Sequence, residues 1–413
     1  MRYVGSMSTM KPYMSSFGDI ITAKRSSQIV GNFLFGVKED TLNDQLTGSA
    51  SVYIDGNAGF ENLLTLSTGI AASSTGMLES KNALRYIPGF ELGLFFSAVF
   101  VKPTVDGYAK VGFMDEYNGF WIGFKEVDGT IEFGVAIRKD GVETFVKQSD
   151  FNGDILDGNG CRRFDLGPEK GNVYRIRAGY LGFAPPTFEV MTPNGELIIM
   201  HQFEYPNSQY VTHISNTYLS VRGEVSNGSA TEDVAIKTGS VNGYIVDGDS
   251  LKVNARDFSL GVNNTTSSGA AYNRYPLIAF KNSGSFQGYL SPTVKNHKIS
   301  ALLNYFALYL GGQNKTVRLE LIIIDEDNIT NTPTWESISS DSILNYSTNA
   351  NFDDSNAKVL YTTVCKKTED KIEPSIIDSK LMLKPHQVAI FAITSTTTLA
   401  IEWDFANGWS ELF

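Results

Sequence analysis

Asp150-Phe-Asn152-Gly-Asp154, followed by Asp157 and Asn159, gathers five side-chain oxygen donors within ten residues. A calcium ion takes about 6–8 oxygens from such a run. The run departs from the EF-hand loop: Ile155 stands where the sharp-turn glycine belongs, and Cys161 where the bidentate glutamate belongs. Crowded carboxylates still require compensation, from a cation or from backbone N–H groups. Gly153, Gly158 and Gly160 leave the backbone free to turn its amides toward the acids. The expectation is an Asx-rich connection between strands. A structural calcium ion held by Asp150, Asn152, Asp154 and Asp157 is the alternative.

Asp115 and Glu116, beside Asn118, Phe120 and Trp121, are the other candidate for chemistry, at a sugar. A glycosidase needs two carboxylates facing one bond across about 5–10 Å. Neighbouring residues on a strand point to opposite faces, so this pair fits a hairpin turn better. No G-x-S-x-G nucleophile elbow occurs, and Cys161 and Cys365 have no histidine beside them in sequence. His201 alternates with apolar residues in IIMHQF and reads as a strand histidine. No glycine-rich phosphate loop opens a helix. The expectation is no catalytic residue and no required cofactor.

With 34 Lys+Arg against 45 Asp+Glu, the formal charge is −11, which disfavours coating nucleic acid. Two Cys and four His leave no disulfide framework and little room for a His- or Cys-based metal centre. The longest apolar run, Leu92 to Val101, is too short for a membrane span and reads as a buried strand.

The elements that must position these residues are strands. AKVGFM, FWIGFK, TIEFGVAIR and VETFVK are separated by Asp115–Gly119, Val127-Asp-Gly129 and Lys139-Asp-Gly141, turn signals that predict an antiparallel meander. VYRIRAGYLGF, TFEVMT, ELIIMHQF and Leu219–Val225 continue the series. A boundary is expected at Asp247-Gly-Asp-Ser250, and beyond it strands resume. Ile299 to Leu310 also fits a helix face, but its aromatics and the Gly311-Gly312 stop favour strand. Ser340 to Asn356 reads as a long loop. The prediction is all-β: two antiparallel sandwiches of jelly-roll or lectin-like type, 32–247 and 248–413, behind an extended arm, 1–31.

Several blocks, in order along the chain, resemble a family of virion structural proteins from tailed phages and large DNA viruses. They are Ser16-Phe-Gly-Asp-Ile20, Ser67–Ala71 with Leu78–Lys81, Leu84–Gly89, Val111-Gly-Phe113 with Asn118-Gly-Phe120, and Gly134-Val135 with Ile137-Arg138. Gln148–Asp154, Tyr180-Leu-Gly182, the His201 strand, Leu219–Arg222 and Trp409-Ser-Glu411 complete the series. The resemblance implies a particle component that assembles with other virion proteins and with copies of itself. It carries over no catalytic residue. The arm, through Met14, Phe17, Lys24 and Arg25, is expected to bind those partners. The first 30 residues lack an apolar signal core, so synthesis in the host cytoplasm and residence in the virion are expected. A lectin-like module recognising host glycan through exposed tyrosines is the second reading, and a glycan-cleaving enzyme the third.

Overall fold

The computed structural model describes residues 25–412 apart from residues 35, 38–40, 57–61, 85, 161–162, 180, 247–254, 269–272, 288–293, 298, 312–315, 367–381 and 396–398. Met14, Phe17 and Lys24 of the expected arm lie outside the described residues. The chain is built almost wholly of antiparallel strands in two units, which divide between Asp249 and Ser250.

The first unit contains β1 (Arg25–Asn32), β2 (Leu42–Leu46), β3 (Ser51–Asp55), β4 (Leu63–Ser67), β5 (Thr75–Leu84), β6 (Glu91–Phe100), β7 (Tyr108–Met114) and β8 (Gly119–Val127). It continues with β9 (Thr130–Lys139), β10 (Val142–Lys147), β11 (Asn172–Ala178), β12 (Thr187–Met191), β13 (Leu197–Gln202), β14 (Leu219–Ser226), β15 (Ala235–Thr238) and β16 (Ser240–Val246). One sheet runs β10-β9-β8-β7-β14-β5-β2. The other runs β13-β12-β11-β6 and then forks, β6 pairing with β16 (and β16 with β1) along one half and with β15, then β4 and β3, along the other.

The meander of β7 to β10 follows from its turns. Asp128 and Asp140 adopt positive φ, followed by Gly129 and Gly141 at φ 77° and 82°, the left-handed geometry that tight hairpins demand. Alternation then sends Val111, Phe113, Phe120, Ile122, Phe124, Phe133, Val135 and Ile137 inward to one shared core with Leu94, Phe96, Phe100, Tyr174, Ile176 and Phe188 of the other sheet. Aromatics lock this core edge-to-face: Phe124 and Phe133 lie 6.2 Å and 6.0 Å from Phe100.

The second unit contains β17 (Ala255–Ser268), β18 (Arg274–Asn282), β19 (Ser285–Phe286), β20 (Lys295–Asn296), β21 (Ala301–Gly311) and β22 (Thr316–Asp325). Then come β23 (Glu336–Ser337), β24 (Leu344–Ser347), β25 (Lys358–Lys366), β26 (Met382–Leu383), β27 (Gln387–Ser395) and β28 (Leu399–Leu412). Its sheets run β17-β28-β21-β26 and β23-β24-β18-β27-β22-β25. Phe280, Phe306, Phe391, Phe405 and Trp409 are buried, and their rings meet one another. The ambiguous Ile299–Leu310 segment is strand from Ala301 onward, with Phe306 and Leu308 inward and Tyr305 and Tyr309 outward.

Two expectations change. The arm does not extend to residue 31, because Arg25–Asn32 pairs with β16 and its guanidinium sits over the Phe95 and Tyr244 rings, 5.1 Å and 5.3 Å from their centres. The stretch Ser340 to Asn356 is not all loop: β24 pairs with β18 and β23, since Leu344 is core while Asn and Ser surround it.

Candidate functional site

Asp150, Asn152, Asp154 and Asp157 of the acidic loop each accept a local hydrogen bond. Asn152 Oδ1 accepts from the Gln202 N–H at 2.9 Å and its Nδ2 donates to the Gln202 carbonyl at 2.8 Å. The N–H groups of Gly153 and Asp154 donate to the carbonyls of Met200 and Ile199, both at 3.0 Å. Residues 152–154 therefore run along β13 and cover the edge of its sheet. Asp154 Oδ1 accepts from the Leu156 N–H at 2.9 Å, and Asp157 Oδ1 from the Asn159 N–H at 2.9 Å. Asp150 accepts from Ser149 Oγ at 3.1 Å. A Cβ at Gly160 would lie 2.2 Å from an Asp154 carboxylate oxygen, so any other residue there would push that carboxylate aside. Among the described residues no three His, Cys, Asp or Glu side chains converge on one point.

Asp115 closes its hairpin. Its Oδ1 accepts from the N–H groups of Tyr117 and Asn118 at 2.7 Å and 2.6 Å, and its Oδ2 from Asn216 Nδ2 at 2.7 Å. His201 Nδ1 accepts from the Asn152 N–H at 3.3 Å. His213 is buried between the Phe120 and Tyr205 rings with Nε2 2.9 Å from the Ala184 carbonyl, and burial pulls its pKa down to about 4. Glu411, of the Trp409-Ser-Glu411 block, accepts from Ser342 Oγ, the Ile343 N–H and Trp409 Nε1, tying a loop to β28.

Sequence reasoning missed a charge lattice on the outward face of β7 to β10 and β14. Glu143 takes Lys110 at 3.0 Å, Lys125 at 2.8 Å and Arg138 at 3.0 Å; Arg138 also holds Glu224 at 2.8 Å, which Arg222 meets at 3.1 Å. Lys110 Nζ lies over the Trp121 ring at 4.8 Å. Burial alone would raise the Glu143 carboxyl, but the Lys110 ammonium, with Lys125, holds it at about 2. Burial likewise works to raise Glu224, and Arg138 brings it below the ordinary range. A glycosidase acid must keep its proton near neutral pH, which needs a raised pKa. Two carboxylates held ionised by cations are suited to fixing strands, not to general acid catalysis.

The second missed feature is a platform of small residues and two exposed tyrosines on the outward face of β17, β28 and β21. Facing positions across the three strands are Ser259–Gly408–Tyr305, Gly261–Ala406–Ala307 and Asn263–Asp404–Tyr309. The middle of this face is floored by Gly and Ala, and a Cβ added to Gly261 would meet nothing within 4 Å. The Tyr305 ring lies over Gly408, so close that a Cβ there would fall 2.2 Å from it. The ring is 46% exposed, and Tyr309 is 56% exposed. Beside Tyr305, Asn304 Nδ2 donates to Ser410 Oγ at 2.6 Å, and Ser410 Oγ donates to Asp257. Asp257, Ser259, Asn304, Tyr305 and Gly408 line an open depression of about 500 Å³. The two tyrosines, four residues apart on one strand, are spaced roughly 13 Å along it.

No family model and no curated protein sequence matches the chain. Among solved structures, the carbohydrate recognition domain of Emp47p is similar at 12% identity and a TM-score of 0.34, covering 54% of this chain and 96% of that one. Lectin I-B4 from Griffonia simplicifolia, in its metal-free form, is similar at 13% identity and a TM-score of 0.33, covering 53% and 99%. A xylan β-1,4-xylosidase from Bacillus halodurans C-125 is similar at 9% identity and a TM-score of 0.34, but only 39% of its chain is covered.

Proposed function

We propose that the chain is a non-enzymatic glycan-recognition protein whose binding face is the tyrosine platform of the second unit. The observation that carries this reading is the Tyr305 ring, laid on Gly408 with one face open beside the Asp257–Ser410–Asn304 chain. A sugar ring offers one apolar C–H face and a rim of hydroxyls. An exposed aromatic ring takes the first, and fixed hydroxyl, amide and carboxylate groups pair with the second. The Gly and Ala floor leaves room for a ring to approach the sheet. Asp257 and Asp404 flank it, and no Lys or Arg stands among the outward positions from 257 to 265 or from 402 to 410, so neutral glycans fit better than sialylated or uronic ones.

The particle setting is part of the same proposal. It is supported by the ordered blocks from Ser16 to Glu411, and glycan recognition is a role such a component can fill at a host surface. A glycan array probed with the full chain tests the reading. Neutral oligosaccharides should bind, and Tyr305→Ala with Tyr309→Ala should erase the signal. Binding unchanged in that double variant, or confined to anionic glycans, contradicts it.

A further inference from the structure

Among the described residues the long sheet edges are guarded, with one exception; the eight-residue β1 edge is broken by a register shift between Ser27 and Ile29. The β13 edge is covered by residues 152–154. The β2, β3 and β10 edges are five, five and six residues long. The β25 edge carries Lys358 and Lys366 and lies opposite a register shift at Leu321/Ile322. Shortness, cover, lysine and bulges are the devices that stop an edge from pairing with another chain. By contrast β17 runs fourteen residues, Ala255–Ser268, in unbroken register with β28, contains no Lys or Pro, and among the described residues pairs with no second strand. Every second residue of such a strand turns its N–H and C=O away from β28; the Thr265 N–H is taken by Asn264 Oδ1 at 2.7 Å, so the ladder template is the stretch from Asp257 to Asn263.

We propose that β17 is a self-association edge, where a second copy of this chain adds its own β17 antiparallel about a two-fold axis. The occupant follows from complementarity. A two-fold perpendicular to the sheet keeps each face on its own side, so facing residues must have the same parity. Centring the pair on Gly261, whose side-chain position is empty, sets Ser259 opposite Asn263 and Asp257 opposite Thr265. No like charges meet, because the strand's only two charges, Arg256 and Asp257, both lie on the N-terminal side of the axis, and Asp257 faces Thr265. An isologous contact of this kind closes after two copies and does not propagate. The paired four-stranded sheets become one continuous sheet through β28-β17-β17-β28. If the glycan reading holds, both tyrosine platforms then face the same side, and two weak sites act with the avidity of one ligand-bearing surface. The association itself does not depend on that reading.

The test uses the full chain in sedimentation equilibrium, with near-ultraviolet circular dichroism to monitor folding. The wild type should be a dimer whose population rises with concentration. Ser259→Lys with Asn263→Lys sets lysine against lysine twice across the axis and should weaken the dimer roughly tenfold or more, with the dichroism unchanged. Ser259→Glu with Asn263→Lys sets glutamate against lysine and should restore it. A monomeric wild type, a lysine–lysine variant that associates as well as the wild type, or a charge-swapped variant that stays monomeric would each overturn the proposal.

Discussion

Single residues here act mostly through burial and local hydrogen bonds. The part of this that is local in sequence was readable beforehand. Asp115 was expected to cap a hairpin, and it does so with two backbone N–H groups. His201 was expected to sit satisfied in a strand, and its Nδ1 takes the Asn152 N–H. The lattice around Glu143 was not legible. Lys110, Arg138, Glu143 and Glu224 come from four strands, and only the insertion of β14 beside β7 brings Glu224 to Arg138. Two buried histidines make the residue-scale prediction. Burial lowers His213 and His297 to about 4 from an ordinary 6.5. Each folded unit therefore resists a proton that its unfolded chain accepts, so the stabilisation is full above about pH 6.5 and is lost as pH falls toward 4. Each histidine accounts for roughly 3 kcal/mol over that window. Denaturant melts at pH 7 and pH 4.5 should show the loss, and His213→Gln should reduce the pH dependence. A flat profile would contradict the assignment.

At the scale of elements, hairpins were legible and non-local neighbours were not. The Asp-Gly turns marked β8 to β10 almost to the residue, because a two-residue loop dictates its own strands. The same cues say nothing about β14 and β5 lying beyond β7 in that sheet. The platform was invisible for a related reason: Tyr305 and Gly408 lie a hundred residues apart and meet only through the β21–β28 register. In the acidic loop, backbone N–H groups meet Asp154 and Asp157 as the run of Asx residues suggests, while its course along β13 has no sequence cue. Because Asp154 and Asp157 each already accept a backbone N–H, the melting temperature should be the same in calcium and in chelator. A shift of several degrees that Asp154→Ala erases would show instead that the loop binds an ion.

For the molecule as a whole, the strand–turn rhythm on either side of residue 247 predicted two all-β sandwiches, and the chain divides between Asp249 and Ser250. Composition carried this because apolar alternation and glycine turns fill both halves. It could not indicate which outward face is bare, since a Gly and Ala floor looks the same in sequence as a buried close approach. The central claim is that the full chain recognises neutral glycan by stacking on Tyr305. The most direct measurement is a calorimetric titration of the full chain with an array-selected neutral oligosaccharide, comparing Tyr305→Phe, Tyr305→Ala and Gly408→Ala. Phenylalanine keeps the ring and should retain most of the affinity. Alanine at 305 should cost at least about 2 kcal/mol, roughly thirtyfold. Gly408→Ala should weaken binding as well, because its Cβ would fall 2.2 Å from the ring and displace it from the sheet. Equal affinity for all three variants and the wild type would contradict the account.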